Sequence, residues 1–217
     1  MPDPQPRDVV LGACDAIAAS LLGFRYAPSQ RHATRFRGDW KDTVYFHGSV
    51  YNRRGRSITL SVGINLRNQR LARWRREVGS PVRRDSWVAG CLLGYLSDDG
   101  HGSATWDLLG GSTRAVQDIR VRLSADAMPF FAVCSDVGRL LDAAPERWLE
   151  ILKPDDLFEL FLCCGQVEPL DRYLAGLWRK RPKIRALTLK WLADEPRLES
   201  RIGECAHPTP AKRSHAC

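Results

Sequence analysis

No apolar run in this chain of 217 residues approaches the roughly 20 residues that a membrane-spanning helix needs. The longest apolar stretches, such as Ala89 to Leu96, are broken by glycines, there Gly90 and Gly94. The features of a secretory signal are missing as well: MPDPQPRDVV carries prolines and acids where a basic patch and an apolar stretch would stand. Neither membrane insertion nor export is expected, and the cytoplasm is the expected compartment.

Paired cysteines are also missing. The seven cysteines (Cys14, Cys91, Cys134, Cys163, Cys164, Cys205 and Cys217) are odd in number, contain no CxxC pair, and have no histidine at zinc-ligand spacing. They read as small, buried apolar residues of a reduced protein, and neither a metal nor a cofactor is expected. No G-x-S-x-G or H-E-x-x-H occurs. His47, Asp107 and His101 come nearest to an acid–base set, but nothing in the sequence brings them together, so no catalytic residue is assigned. LLGGSTRA, residues 108 to 115, runs through two glycines into an expected helix, yet no P-loop lysine follows, and a Ser112 or Thr113 cap accounts for it.

The most informative shortage is of acids. Between Arg25 and Asp85 there are 15 Lys and Arg against 4 Asp and Glu, a surplus of 11, whereas the whole chain has a net charge of only +8. A surplus concentrated in one block attracts acidic partners, nucleic acid among them.

Within that block lie strands. Val9 to Leu22 first shows apolar residues at helical spacing and stops at Gly23. Ala33 to Arg37, Thr43 to Tyr51 and Ser57 to Arg67 are then β-branched or aromatic, and Ile58, Leu60, Val62, Ile64 and Leu66 alternate at period two, the signature of a half-buried strand. A three-residue loop Arg53-Arg54-Gly55 sets Val50 opposite Ile58, Gly48 opposite Leu60, Phe46 opposite Val62 and Val44 opposite Ile64. Even positions then face the core and odd positions the other side. Extending the pairing back across GDWKD sets Phe36 beside Val44 and adds Arg35 and Arg37 to the odd face.

Leu66 to Val78 reads as a basic connection or short helix, and Trp87 to Leu96 as a strand or a buried helix. Ala104 to Leu109 reads as a strand. Ser112 to Ala127 reads as a helix that Pro129 ends. From Asp136 onward short, nearly neutral helical pieces are punctuated by prolines. The expectation is an α+β fold, mainly an antiparallel sheet with flanking helices, followed by a helical C-terminal subdomain. Its divisions are a flexible N-terminus at 1–8, an α+β domain at 9–135, helices at 136–202 and a tail at 203–217.

LLGFRYAPSQRHATRFRG, VYFHGSVYNRRGRSITLSVGINL, WDLL and a helix closing on AMPFF resemble a family of uncharacterised bacterial domains, domain of unknown function 4304, over roughly residues 10 to 140. The family tends to have glutamine where this chain has His47. The resemblance implies an antiparallel sheet with flanking helices and no established chemistry. By analogy with similar bacterial domains, it implies a small binding protein of the toxin-and-immunity kind.

The candidate binding surface is the odd face of the hairpin: Arg35, Arg37, Tyr45, His47, Tyr51, Ser61 and Asn65, which combine aromatic planes, hydrogen-bonding groups and cations. An unknown protein partner is the first expectation. The alternative is nucleic acid, with Arg67, Arg70, Arg73, Arg75 and Arg76 tracking phosphates and Trp74 stacking on a base.

Overall fold

The structure, a computed structural model, describes residues 5–80, 85–97 and 105–180. Helix α1 (Pro6–Ala18) starts earlier than Val9, with Pro6 in its first turn, where the missing N–H costs nothing. Strands β1 (Arg25–Ala27), β2 (His32–Arg37), β3 (Trp40–Gly48) and β4 (Thr59–Asn68) follow as an antiparallel meander. Helix α2 (Gln69–Val78) then leads to β5 (Trp87–Leu92), which pairs with the second half of β4, while β6 (Trp106–Asp107) pairs with its start. The remaining helices are α3 (Ser112–Arg122), α4 (Met128–Ser135), α5 (Leu140–Ala143), α6 (Glu146–Ile151), α7 (Pro154–Cys163) and α8 (Val167–Lys180). The fold is α+β with an antiparallel sheet, as the alternation and helical spacings imply, and no described helix is long and apolar enough to cross a membrane. The expected tail, His101 and residues 181–202 of the expected helical subdomain lie outside the described residues.

The inner face of the sheet is the core. Ala33, Val44, Phe46, Leu60, Val62, Ile64, Leu66 and Ala89 are all buried, and they join α1, α3, α4 and α7 in one contiguous apolar cluster. Helix α1 contributes Val10, Ala13, Cys14 and Ile17, the i, i+3, i+4, i+7 stripe of an amphipathic helix. Burial lifts the Cys14 thiol to about 11 and the Cys91 thiol to about 12, so both stay protonated.

Pro129 does not end a helix. Residues Leu123–Ala127 form a π-helical turn, and α4 continues from Met128 with Pro129 in its first turn. The wider turn relieves the clash between a proline ring and the carbonyl four residues back, so the chain stays helical past the proline.

Two buried charge clusters tie helices to the sheet region. The Arg75 guanidinium, fully buried on α2, donates from Nε to Glu159 at 2.7 Å and from Nη2 to Asp156 at 2.6 Å, both on α7. Its Nη1 donates to the Asp85 and Trp87 carbonyls at 3.0 and 2.9 Å. The Ser80 hydroxyl donates to the other Glu159 oxygen. Burial pushes the Glu159 carboxyl above the usual carboxylate range, and the Ser80 and Arg75 donors pull it part of the way back. Arg75 therefore fastens α2 to α7 and to the start of β5.

Removing one member of such a network leaves buried charge uncompensated. Arg75→Ala is expected to lower unfolding stability by about 3–5 kcal/mol. Arg75→Met combined with Asp156→Leu and Glu159→Leu should recover most of that loss; urea unfolding of the three proteins is the measurement.

Candidate functional site

The other face of the sheet is assembled by register. Directly paired residues share a face, so the strand pairings fix which side chains stand together. One row across β2, β3, β4 and β5 is Phe36, Lys41, Arg67 and Trp87. The next, reaching back to β1, is Arg25, Thr34, Thr43, Asn65 and Gly90. A third is Ala27, His32, Tyr45, Gly63 and Leu92, and a fourth pairs His47 with Ser61. Of all these, Gly63 alone is buried; the rest are half-buried or exposed.

Three of the expected surface residues require correction. Arg35 and Arg37 point to the inner face, because the β2–β3 connection is a two-residue turn, Gly38-Asp39, that pairs Arg37 with Trp40 and Arg35 with Asp42. Gly38 takes φ 58°, the positive value that a glycine-first hairpin turn needs. The odd residues of β2 are thereby set against the even residues of β3, and Phe36 meets Lys41 rather than Val44. Inside, Arg35 and Arg37 both pair with the fully buried Asp42 at 2.8 Å. Arg37 also donates to the Phe131 carbonyl and the Ser135 hydroxyl at the end of α4, where a helix C-terminus favours a cation. Tyr51 is exposed but sits beyond the end of β3.

The hairpin tip also differs from expectation. The loop is Arg54-Gly55-Arg56, closed by an Arg53–Ser57 bridge, with Gly55 at φ 65°. Val50 does not pair with Ile58: Val50 is 91% exposed and Ile58 1%. The Asn52 side chain takes both backbone groups of Thr59, its Oδ1 accepting from the Thr59 N–H at 2.8 Å and its Nδ2 donating to the Thr59 carbonyl at 3.0 Å. That side chain substitutes for a strand partner and ends the ladder two residues early.

Four of the expected surface residues do share the outer face: Tyr45, His47, Ser61 and Asn65. The Tyr45 ring lies across Gly63, where an added Cβ would fall inside the ring, and the Trp87 ring covers Gly90 in the same way. Burial raises the Tyr45 phenol above its ordinary value. The His47 ring stands edge-on to Tyr45 at 5.0 Å. The Asn65 Oδ1 is buried with no hydrogen-bond donor among the described residues.

The arginine helix expected to track phosphates is mostly otherwise engaged. Arg75 and Trp74 are buried, and Arg73 pairs with Asp39 at 2.9 Å. Only Arg70 and Arg76 of α2 are exposed without an ion pair among the described residues. By contrast Lys41 and Arg67 stand directly opposite each other on the outer face, and neither has an ion-pair partner among the described residues. Lys41 Nζ lies over the Phe36 ring, 5.6 Å from its centre. Asp42 is the single acid in β1 to β5 and points inward, so among the described strands only Asp107 of β6 brings a carboxylate to the outer face.

Register also places the acid–base candidates. His47 pairs with Ser61 and Asp107 with Thr59, on opposite sides of β4. They are two strand spacings apart, about 10 Å, which exceeds proton-transfer reach. At the LLGGSTRA turn, α3 is capped by Gly111 with no side-chain hydrogen bond. The adjoining cleft of about 460 Å³ is lined by two carboxylates, Asp107 and Asp118, against one guanidinium, Arg114, a net negative lining that does not favour an anion.

No family model, curated protein or solved structure matches the chain. Its own geometry is the source of the functional reading.

The outer-face residues that sequence reasoning missed are Phe36, Lys41, His32, Thr34, Thr43 and Trp87. The RGDW turn, with glycine in the first central position, carries the signal that would have placed Phe36, His32 and Thr34, and period two along β3 from Tyr45 places Lys41 and Thr43. Gly63→Ala is expected to cost about 1–3 kcal/mol by forcing Tyr45 off the sheet. In a Tyr45→Ala background the same change should be neutral or stabilising, and chemical denaturation of the four proteins in the cycle measures the coupling.

Proposed function

We propose that the chain is a non-catalytic binding protein of the cytoplasm that engages an acidic macromolecule through the outer face of its sheet. The observation that carries the reading is the unrelieved Lys41–Arg67 pair. Like charges directly opposite on neighbouring strands destabilise a sheet, and the one acid in β1 to β5, Asp42, points inward, so none stands on their outer face to offset the pair. A local conflict of this kind marks a position kept for contact rather than for folding. The surrounding rings, hydroxyls and amides supply the mixture of flat apolar and hydrogen-bonding groups that recognition surfaces use. The five cysteines among the described residues form no disulfide with one another, which agrees with a reducing compartment.

A second reading, a protein partner held at the hairpin tip, is favoured by Val50 and Tyr51, which are 91% and 79% exposed beside the exposed Arg53, Arg54 and Arg56. An exposed aliphatic and aromatic pair flanked by arginines has the composition of a small interface anchor.

The test is affinity capture from host extract with the wild-type chain and with a Thr43→Glu/Ser61→Glu variant whose melting temperature is first shown to be unchanged. Species retained by the wild type and lost from the variant support the outer-face reading. Species retained equally by both overturn it, and a Val50→Ser/Tyr51→Ser variant then asks whether the tip holds them.

A further inference from the structure

We infer that the partner of the outer face is a single-stranded nucleic acid, bound along the row Phe36, Lys41, Arg67 and Trp87 with Tyr45 and His47 as a second contact. The inference rests on the outer-face reading above and names its ligand. Binding of a single strand without strong sequence preference needs flat rings on which bases stack and cations that follow the phosphates. The first row provides both. Its two rings stand at the ends, three strand spacings or about 14 Å apart, with two cations between them. Phe36 is 65% exposed, with the Lys41 ammonium over its ring, so one face of the row is already arranged for a base beside a phosphate.

The second contact lies two rows along. Tyr45 and His47 are in edge contact, and His32 pairs with Tyr45 across the strand. Two rows are four residues of strand, about 13 Å, so the two groups would meet successive parts of one extended chain. Between them stand Thr34, Thr43 and Asn65, donors and acceptors suited to base edges and sugars, with Arg25 at the end of the same row. Asn65 Oδ1 has no donor among the described residues. A sheet surface that offers rings and cations side by side suits splayed bases better than a rigid duplex, whose recognition relies on an element entering a groove. An acidic protein would answer the charge but would leave the ring–cation–cation–ring order unused.

The probe is fluorescence anisotropy with labelled oligo(U) and oligo(dT) of roughly 12 nucleotides, within the range of about 4–16 that such surfaces occupy, at about 50 mM salt. Phe36→Ala is expected to weaken binding about tenfold. Neutralising both cations, Lys41→Thr with Arg67→Thr, should weaken it further. The same pair should reduce the slope of log affinity against log salt by about 1.4, two phosphate contacts at about 0.7 each.

Lys41→Glu separates function from structure. It places a carboxylate opposite Arg67, so the melting temperature should hold or rise while oligonucleotide affinity falls at least tenfold. Absence of binding at low salt, equal affinity for duplex of the same length, or indifference to Phe36→Ala and to the cation pair would each overturn the inference. If oligonucleotides fail but a nuclease-resistant species is held by the wild type and lost from Thr43→Glu/Ser61→Glu, the ligand is wrong and the outer-face reading stands. If that capture fails as well, both fall.

Discussion

The two-residue turn at Gly38-Asp39 is the constraint on which the outer face depends. In an antiparallel pair the sum of paired residue numbers is constant, and a turn of two residues makes that sum odd between β2 and β3. Arg35 and Arg37 are then carried to the same side as Asp42, Val44 and Phe46, and His32, Thr34 and Phe36 to the side of Lys41, Thr43 and Tyr45. With one more residue in the turn, every side chain of β2 would change faces. Two arginines would then stand in solvent and the buried Asp42 would lose its partners. The turn thus decides the core electrostatics and the surface chemistry together.

Two acidic clusters account for much of the arginine in the basic block. Asp42 holds Arg35 and Arg37 beneath the sheet, and Asp156 with Glu159 holds Arg75 between α2 and α7. Burying guanidinium groups is costly unless each donor finds an acceptor, and here carboxylates, a hydroxyl and backbone carbonyls supply them. These arginines act as fasteners between elements. The cations that remain on the outer face, Arg25, Lys41 and Arg67, are fewer than composition suggests, but they have no carboxylate beside them in β1 to β5. A surface field depends on unpaired charge rather than on residue counts.

The helical half of the described chain shares this economy of packing. Helix α7 is buried from Asp156 to Cys163, with its apolar residues in the common core and its two buried acids, Asp156 and Glu159, on Arg75. The π turn at Leu123–Ala127 lets the chain run helically past Pro129, so Phe130 and Phe131 reach the core and the Phe131 carbonyl meets Arg37. The inner side is thereby filled, while the outer side of β2, β3 and β4 keeps half-buried and exposed side chains apart from Gly63.

Alternation in β4 and in the second half of β3 was legible from residues alone, because a strand with one buried face must place apolar groups at every second position. Ile58 to Leu66 could satisfy burial in only one way, which settles faces; the pairing of Val44, Phe46 and Gly48 with Ile64, Val62 and Leu60 is the one expected from a three-residue loop, although that loop lies one residue further along. The helical spacing of Val10, Ala13 and Ile17 was legible for the same reason, and so was the α+β class. What tertiary structure alone decided was parity and partnership. Arg35 is equally compatible with either face until the Gly38 turn is set, and Arg75 is indistinguishable from Arg76 until α7 brings Glu159 and Asp156 to one of them. Local pattern encodes which side of its own strand or helix a residue occupies; which neighbour it meets depends on chain turns and on residues more than eighty positions away.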